Sequence, residues 1–437
     1  NPIKADNGWK GSDGMIVSHT PWKDKEKQAG INSFGFGGTN AHMVVQNYLG
    51  PKGDDEQSNT SVPLQSMAVV GMDAHFGSCK NLESFYHTIY NGEQQFNALP
   101  KNRWKGIEAN SSLLEKYGFK NGTAPKGAYI EEFEIDLLRY KIQPKEAERL
   151  HPQQALLLKV ADNAIKDASL EEHQNVAVLV AMETELAIHQ CLARWDIEWQ
   201  VKEALGSAGL ELEEDDVTEL IRLAKKGIYH REGTPAPSEF TSFIGNLMAS
   251  RISALWDFSG PAFTVSCGEN SVLKALEIAQ NILSLGEVDA VVVGAVDFSG
   301  GLENVLLRQK EHATNPNAKP SFSFNADNEG WMIGEGAGAV VLKKNSAAGQ
   351  QEKVYTVIDE IGTTNTERAV DYIELAATGI STQDRNEQDI LLQNASNKAI
   401  ALGTIKSNIG NTFAASGMAS LVKTALCMYH RFIPGIP

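Results

Sequence analysis

A set of short, almost unbroken apolar segments constrains this chain more than any other feature. Met67–Met72 (MAVVGM), Val176–Met182 (VAVLVAM) and Asp289–Val296 (DAVVVGAV) show no alternation of apolar and polar residues. A strand with one wet face alternates, whereas a strand covered on both faces does not. Between them lie helical patterns. Lys145–Ser169 carries Ala155, Leu156, Leu158, Val160 and Ala161 on one broad face, and a second helix is expected from Asn270 to Leu285. In the latter, positions 272, 273, 276, 279, 282 and 283 share a face, and Gly286 supplies the stop. Together with a strand over Ala262–Ser266, the pattern predicts a right-handed βαβ unit in a parallel sheet covered on both faces. Ala337–Lys343, Tyr355–Ile361 and Ala399–Lys406 read as further strands. A chain of 437 residues in this arrangement is expected to be a multilayered α/β protein with two or more domains or duplicated halves.

The ends and insertions read differently. In SFGFGGTNAHMVVQNYL, near the start, Ala41, Met43 and Val45 alternate with His42, Val44 and Gln46, a strand with at least one buried face. Residues 50–66 (GPKGDDEQSNTSVPLQS) are a linker by composition. Residues 185–240 form an acidic helical insert whose run Glu211, Glu213, Glu214, Asp215, Asp216 reads as a solvated face or cap. The 39 Lys and Arg against 55 Asp and Glu leave a net charge of −16, which argues against binding duplex nucleic acid or an anionic membrane. No apolar run reaches the ~18 residues a membrane span needs, and nothing at the start resembles a signal peptide. The chain opens on Asn1 rather than Met and reads as a piece of a longer polypeptide. Cys79, Cys191, Cys267 and Cys427 lie far apart without metal-ligand spacing, so no metal site is expected and a reducing, cytoplasmic setting is.

Two motifs invite chemistry. GEGAGA (Gly334–Ala339) suggests a nucleotide loop, but its glycines precede a strand, whereas phosphate-binding loops open a helix. A tight turn packed close to another backbone explains them better. Ser266-Cys267-Gly268 puts a thiol between a buried strand and a helix N-terminus, where thiolate is favoured. A cysteine nucleophile also needs a base.

The stretch FIGNLMASRISALWDFSGPAFTVSCGENSVLKAL resembles the nucleophile region of β-ketoacyl synthases. EAERLHPQQALLLKVADNAIKDA upstream, and EGWMIGEGAGAVVLKK, DYIELAATGISTQDRNE and KSNIGNTFAASGMASLVKTAL downstream, resemble the same family in the same order. The resemblance covers nearly all of residues 67–437. It implies a thiolase-like fold, two duplicated α/β halves in five layers (αβαβα), working as a dimer.

Carried over by position, the family's catalytic residues are missing. An active synthase has Asp-Thr-Ala-Cys at the nucleophile, and here Glu269 falls on the cysteine while Cys267 falls two residues early, its side chain expected to point away from the tunnel. The histidine of Glu-Ala-His-Gly-Thr-Gly falls on Ala376, within Glu374-Leu375-Ala376-Ala377-Thr378-Gly379. That of Lys-Ser-Asn-Ile-Gly-His falls on Asn411. Lys406, Asp384, Glu387 and Thr378 match retained polar support. A thiolate to hold the acyl chain and two imidazoles to drive decarboxylation are what the chemistry needs.

Loss at the reactive atoms within an intact frame resembles a chain length factor, and MAVVGMDAHFGSCKNLESFYHTIYNGEQQF with LPKNRWKG most resembles that domain of polyunsaturated (omega-3) fatty acid synthases. The resemblance further implies that residues 1–49 are the closing segment of an upstream ketosynthase, with Phe36 at its active-site entrance, and that 67–437 is a chain length factor body lacking its own closing segment. A circularly permuted fold, with Ala41–Val45 beside Ala337–Leu342, is one arrangement open to such a chain. The implied partners are an active ketosynthase and an acyl carrier protein that presents phosphopantetheine, with no cofactor bound directly. Leu186 and His189 are the candidate chain-length gate, and 262–268 the partner interface. The rivals are a malonyl decarboxylase using Glu269, condensation through Cys267 in a shifted register, and a carrier-protein docking module.

Overall fold

The computed structural model describes residues 21, 25–34, 40–48, 63–147, 150–184, 186, 188–229, 243–316, 330–349, 352–362, 370–393 and 400–437. The chain divides into two compact units, Asn1–Ser61 and Val62–Pro437. In the first, β1 (Gln28–Phe34) and β2 (Asn40–Gln46) form an antiparallel hairpin. Ile31, Met43, Val44 and Val45 on it are exposed, so the buried face expected of Ala41–Val45 is not there.

The second unit is built on one mixed sheet. β3 (Met67–Phe76), β4 (Gly127–Ala128), β5 (Val176–Ala181), β6 (Ala262–Val265), β7 (Ala290–Phe298), β8 (Ile333–Lys344) and β9 (Thr356–Ile358) belong to it. The order is β6-β5-β7-β8-β3-β9, with β4 pairing β8. β5, β6 and β7 run parallel, as the βαβ pattern predicts. β8 corrects the all-parallel expectation, because it runs antiparallel to both β7 and β3. Both of its edges are thereby taken.

The unbroken apolar strands are explained by period two. Val176, Val178 and Val180 of β5 pack into a core with the helices Pro152–Asp167 and Asn246–Trp256, through residues such as Leu157, Ala161 and Ile252. Ala177, Leu179 and Ala181 turn to the opposite core, built from the helices Ser271–Leu285 and Ser416–His430. Each strand residue therefore meets protein whichever way it points. The helix expected over Lys145–Ser169 is interrupted. His151 caps and Pro152 opens a new helix, since a proline lacks the N–H an interior position requires. Leu273, assigned to the buried face of its helix, is 52% exposed.

The glycines of GEGAGA lie inside β8, not in a turn before it. Gly334, Gly336 and Gly338 share one face of the strand. A Cβ on them would strike the Ile409 carbonyl, the Phe76 ring and Met418 in turn, so close approach is the reason for glycine. In the second half β10 (Tyr372–Glu374) and β11 (Ala401–Gly403) pair in parallel, beside the helix Ser416–His430 that shares the central layer with Ser271–Leu285. Lys423 of that helix reaches the Glu374 carboxylate at 2.8 Å.

Candidate functional site

Three segments converge around Glu269, Asn411 and the turn that follows Ala376. The first is the turn entering the helix Ser271–Leu285. Ser271 Oγ accepts from the Cys267 N–H at 2.8 Å and donates to the Gly268 carbonyl, while Gly268, at φ +58°, donates its N–H to Glu183 at 2.7 Å. This fixes Glu269 just ahead of the helix, where an anion meets free N–H groups and the positive end of the dipole. Cys267 is exposed and lies outside the set of residues lining the cavity at Glu269.

The second segment is the short helix Lys406–Ile409 and the turn behind it. Gly410 at φ +73° lets the chain press against β8, and the Asn411 N–H donates to the Met332 carbonyl at 2.8 Å. Asn411 Oδ1 accepts from the Phe413 N–H at 3.0 Å and from Ser416 Oγ at 2.9 Å, which leaves Nδ2 to donate to Glu269 at 3.2 Å. Lys406 Nζ reaches the other carboxylate oxygen at 3.4 Å. Asn411 and Lys406 are buried, while the Glu269 side chain keeps 35% of its exposure.

The third segment is the turn Ala376–Gly379. Glu387 accepts from the N–H groups of Ala376 and Ala377 at 2.7 and 3.0 Å. Buried Asp384 accepts from the N–H and hydroxyl of Thr378 at 2.7 and 2.9 Å, and from the Gly379 N–H at 3.1 Å. Ala377, Thr378 and Gly379 line a small cavity together with Lys406 and Asn411. Ala377 takes φ +36°, left-handed backbone that a glycine would adopt without strain.

The structure thus brings Glu269, Asn411 and Lys406 into contact and sets the Thr378 turn, with Asp384 and Glu387, beside them. Sequence reasoning missed the rest of the surroundings. A cavity of about 210 Å³ beside Glu269 is lined also by Glu183, Arg308, Glu311, His312 and Phe413. The Arg308 guanidinium lies 3.1 Å from the centroid of the Phe413 ring. Burial holds it below the usual arginine range, against the pull of Asp297, Glu269, Glu183 and Glu311. Glu183 directly follows an apolar strand, and that position was the one signal available for it. Leu186 sits half-buried in a turn, outside the lining of this cavity. Phe36 and the side chain of His189 lie outside the described residues. Among the described residues no group of His, Cys, Asp and Glu could hold a metal ion, and no helix is long and apolar enough to cross a membrane.

Chemically the centre offers a carboxylate held by an ammonium and an amide. Glu269 is a hydrogen-bond acceptor already engaged by both donors, and Asn411 carries no titratable proton.

The β-ketoacyl synthase N-terminal domain matches residues 65–348, the corresponding C-terminal domain 326–437, and the ketoacyl-synthetase C-terminal extension 12–89. A polyunsaturated fatty acid synthase polypeptide of a Thraustochytrium species is 32% identical over 95% of this chain and 22% of its own length. The 5-methyl-1-naphthoate synthase of Streptomyces sahachiroi is 26% identical over 86% of this chain and 21% of its own. The chain therefore spans about a fifth of these relatives. Among solved structures, the PfaC keto synthase–chain length factor superposes with a TM-score of 0.80 at 39% identity, covering 92% of this chain and 44% of that one. A ketosynthase from module 6 of the Bacillus subtilis bacillaene synthase shares the fold at a TM-score of 0.63 and 22% identity, over 85% of this chain and 62% of its own. With its mixed sheet, its two central helices and its thiolase-like neighbours, the chain belongs to the β-ketoacyl synthase family.

Proposed function

We propose that this domain is the non-catalytic chain length factor partner of an active ketosynthase in a polyunsaturated fatty acid synthase. The observation that carries the reading is Glu269. At the position of the family's acyl-carrying thiol stands a carboxylate, tied to Lys406 at 3.4 Å and Asn411 at 3.2 Å. The other imidazole position is Ala376, whose side chain is a methyl group. Malonyl decarboxylation needs donors for the developing enolate, and it also needs a place for the malonyl carboxylate that departs as carbon dioxide. Glu183, Glu269 and Glu311 outnumber Arg308 on the cavity wall and would repel that carboxylate, which weighs against the decarboxylase reading.

On this reading residues 1–49 are the closing segment of an upstream ketosynthase, Phe36 its entrance residue, 50–66 the linker and 67–437 the chain length factor body. The partner ketosynthase docks along β6, and the acyl chain arrives on the phosphopantetheine of a carrier protein in the cytoplasm. β6 is an edge strand of the sheet, with β5 its neighbour on one side, and Leu273 is exposed on the helix that follows. An open edge with an exposed leucine favours pairing with another chain. Leu186 and His189 remain the candidate gate.

The test is reconstitution with a separately expressed, active ketosynthase domain of such a synthase. A 1:1 heterodimer by native mass spectrometry is expected, weakened by Leu273→Lys, together with a product-length distribution that depends on the domain. Identical products with and without it would refute the reading.

A further inference from the structure

The insert after β5 carries a surface that the proposed pairing does not use. The helices Ile188–Ser207 and Glu214–Tyr229 pack on one another as a hairpin. Buried Ile221 and half-buried Val217 and Ala224 mark the inner line of the second helix. Outside that line the hairpin is unusually apolar. Leu210 and Leu212 at the connection are 58% and 47% exposed, and Leu220 and Leu223, three apart on one face, are 40% and 49% exposed. A solvated hairpin tip has no reason to hold four exposed leucines within 14 residues.

The charge around them selects the occupant. From Asp196 to Lys226 there are nine acidic and four basic side chains. Lys202 and Lys225 are drawn to Glu198, and Arg222 to Glu219. The run Glu211, Glu213, Glu214, Asp215 and Asp216 lies at the other end, interleaved with the connection leucines. A second copy of a chain with net charge −16 would bring like charges together, and an anionic membrane or a nucleic acid would be repelled. A segment with Lys or Arg on one face and apolar side chains on the other satisfies both features.

We propose that the hairpin tip is a docking surface for a basic amphipathic segment of a partner polypeptide. The probe is a 14-residue helical peptide of Leu and Lys, titrated calorimetrically into the whole chain, with its Glu-for-Lys counterpart as control. Binding at about micromolar Kd to the Lys peptide only is expected, falling at least about tenfold in Leu220→Ser/Leu223→Ser and in Glu213→Gln/Glu214→Gln/Asp215→Asn/Asp216→Asn. Raised salt should weaken binding to the parent more than to the charge variant. Unchanged circular dichroism and thermal midpoint keep each variant informative, since all these positions are exposed. Binding that the variants do not alter would overturn the proposal. So would no binding, or a sedimentation result in which the parent self-associates and Leu220→Ser/Leu223→Ser does not.

Discussion

Replacing Glu269 by alanine should destabilise the protein, and the sign is the informative part. In a working catalytic centre the reactive group is held against its own preferences, so its removal commonly stabilises the fold. Here the carboxylate is a structural partner. Unit charges 3.4 Å apart attract by about 5 kcal/mol at an effective dielectric near 20. Glu269 retains 35% exposure, and solvent screening pulls that figure toward the ~0–1 kcal/mol of surface pairs. A coupling of about 1–2 kcal/mol is the result. The hydrogen bond from Asn411 at 3.2 Å adds about 1 kcal/mol. The assay is a double-mutant cycle of Glu269→Ala and Lys406→Met, read from urea midpoints at pH 7 and low salt. Glu269→Ala alone should cost about 2 kcal/mol, and much less in the Lys406→Met background. A stabilising Glu269→Ala, or a coupling within about 0.3 kcal/mol of zero, would refute the argument.

Further outcomes follow from the same geometry. Ala377→Gly relieves a non-glycine residue at φ +36° and should stabilise by about 0.5–1 kcal/mol; a lower thermal midpoint would contradict this. Gly336→Ala drives a methyl into the Phe76 ring and to 2.8 Å from the His75 carbonyl, costing about 3 kcal/mol in chemical unfolding. Burial pushes the Asp73 carboxyl up from 3.8 to about 6 and the His75 imidazole down from 6.5 to about 4. The first contribution is full below pH 3.8 and is lost as pH rises through 6, while the second is full above pH 6.5 and is lost as pH falls through 4. Each is worth about 3 kcal/mol, so they nearly cancel. Asp73→Asn should expose the imidazole's slope, losing about 3 kcal/mol more than the parent between pH 7 and pH 4; parallel profiles would rule this out.

Much of the fold is legible in sequence because burial on both faces leaves an unmistakable trace. VAVLVA and AVVVGAV read as central strands and are β5 and β7, and Gly286 ends its helix at φ +78°. What the pattern does not carry is direction. The apolar run of β8 looks the same whether it runs parallel or antiparallel, because both of its faces are covered either way. Its glycines suggest a turn because no local signal shows that the Phe76 ring and Met418 lie against them. At the site, motif order singles out Glu269 and Asn411, which the structure brings into contact. The ties from Asn411 and Lys406 to Glu269 are not legible in sequence, since they join residues more than 130 apart in the chain. Arg308 against Phe413 escapes for the same reason. The exposed hairpin leucines look ordinary until their burial is known.

A non-catalytic role is tested most sharply by mass spectrometry of the whole chain after incubation with malonyl- and long-chain acyl-carrier protein, scoring both acyl adducts and carbon dioxide release. Neither an adduct nor decarboxylation is expected. An acyl group on Cys267, or carbon dioxide release that disappears in Glu269→Ala, would contradict that role.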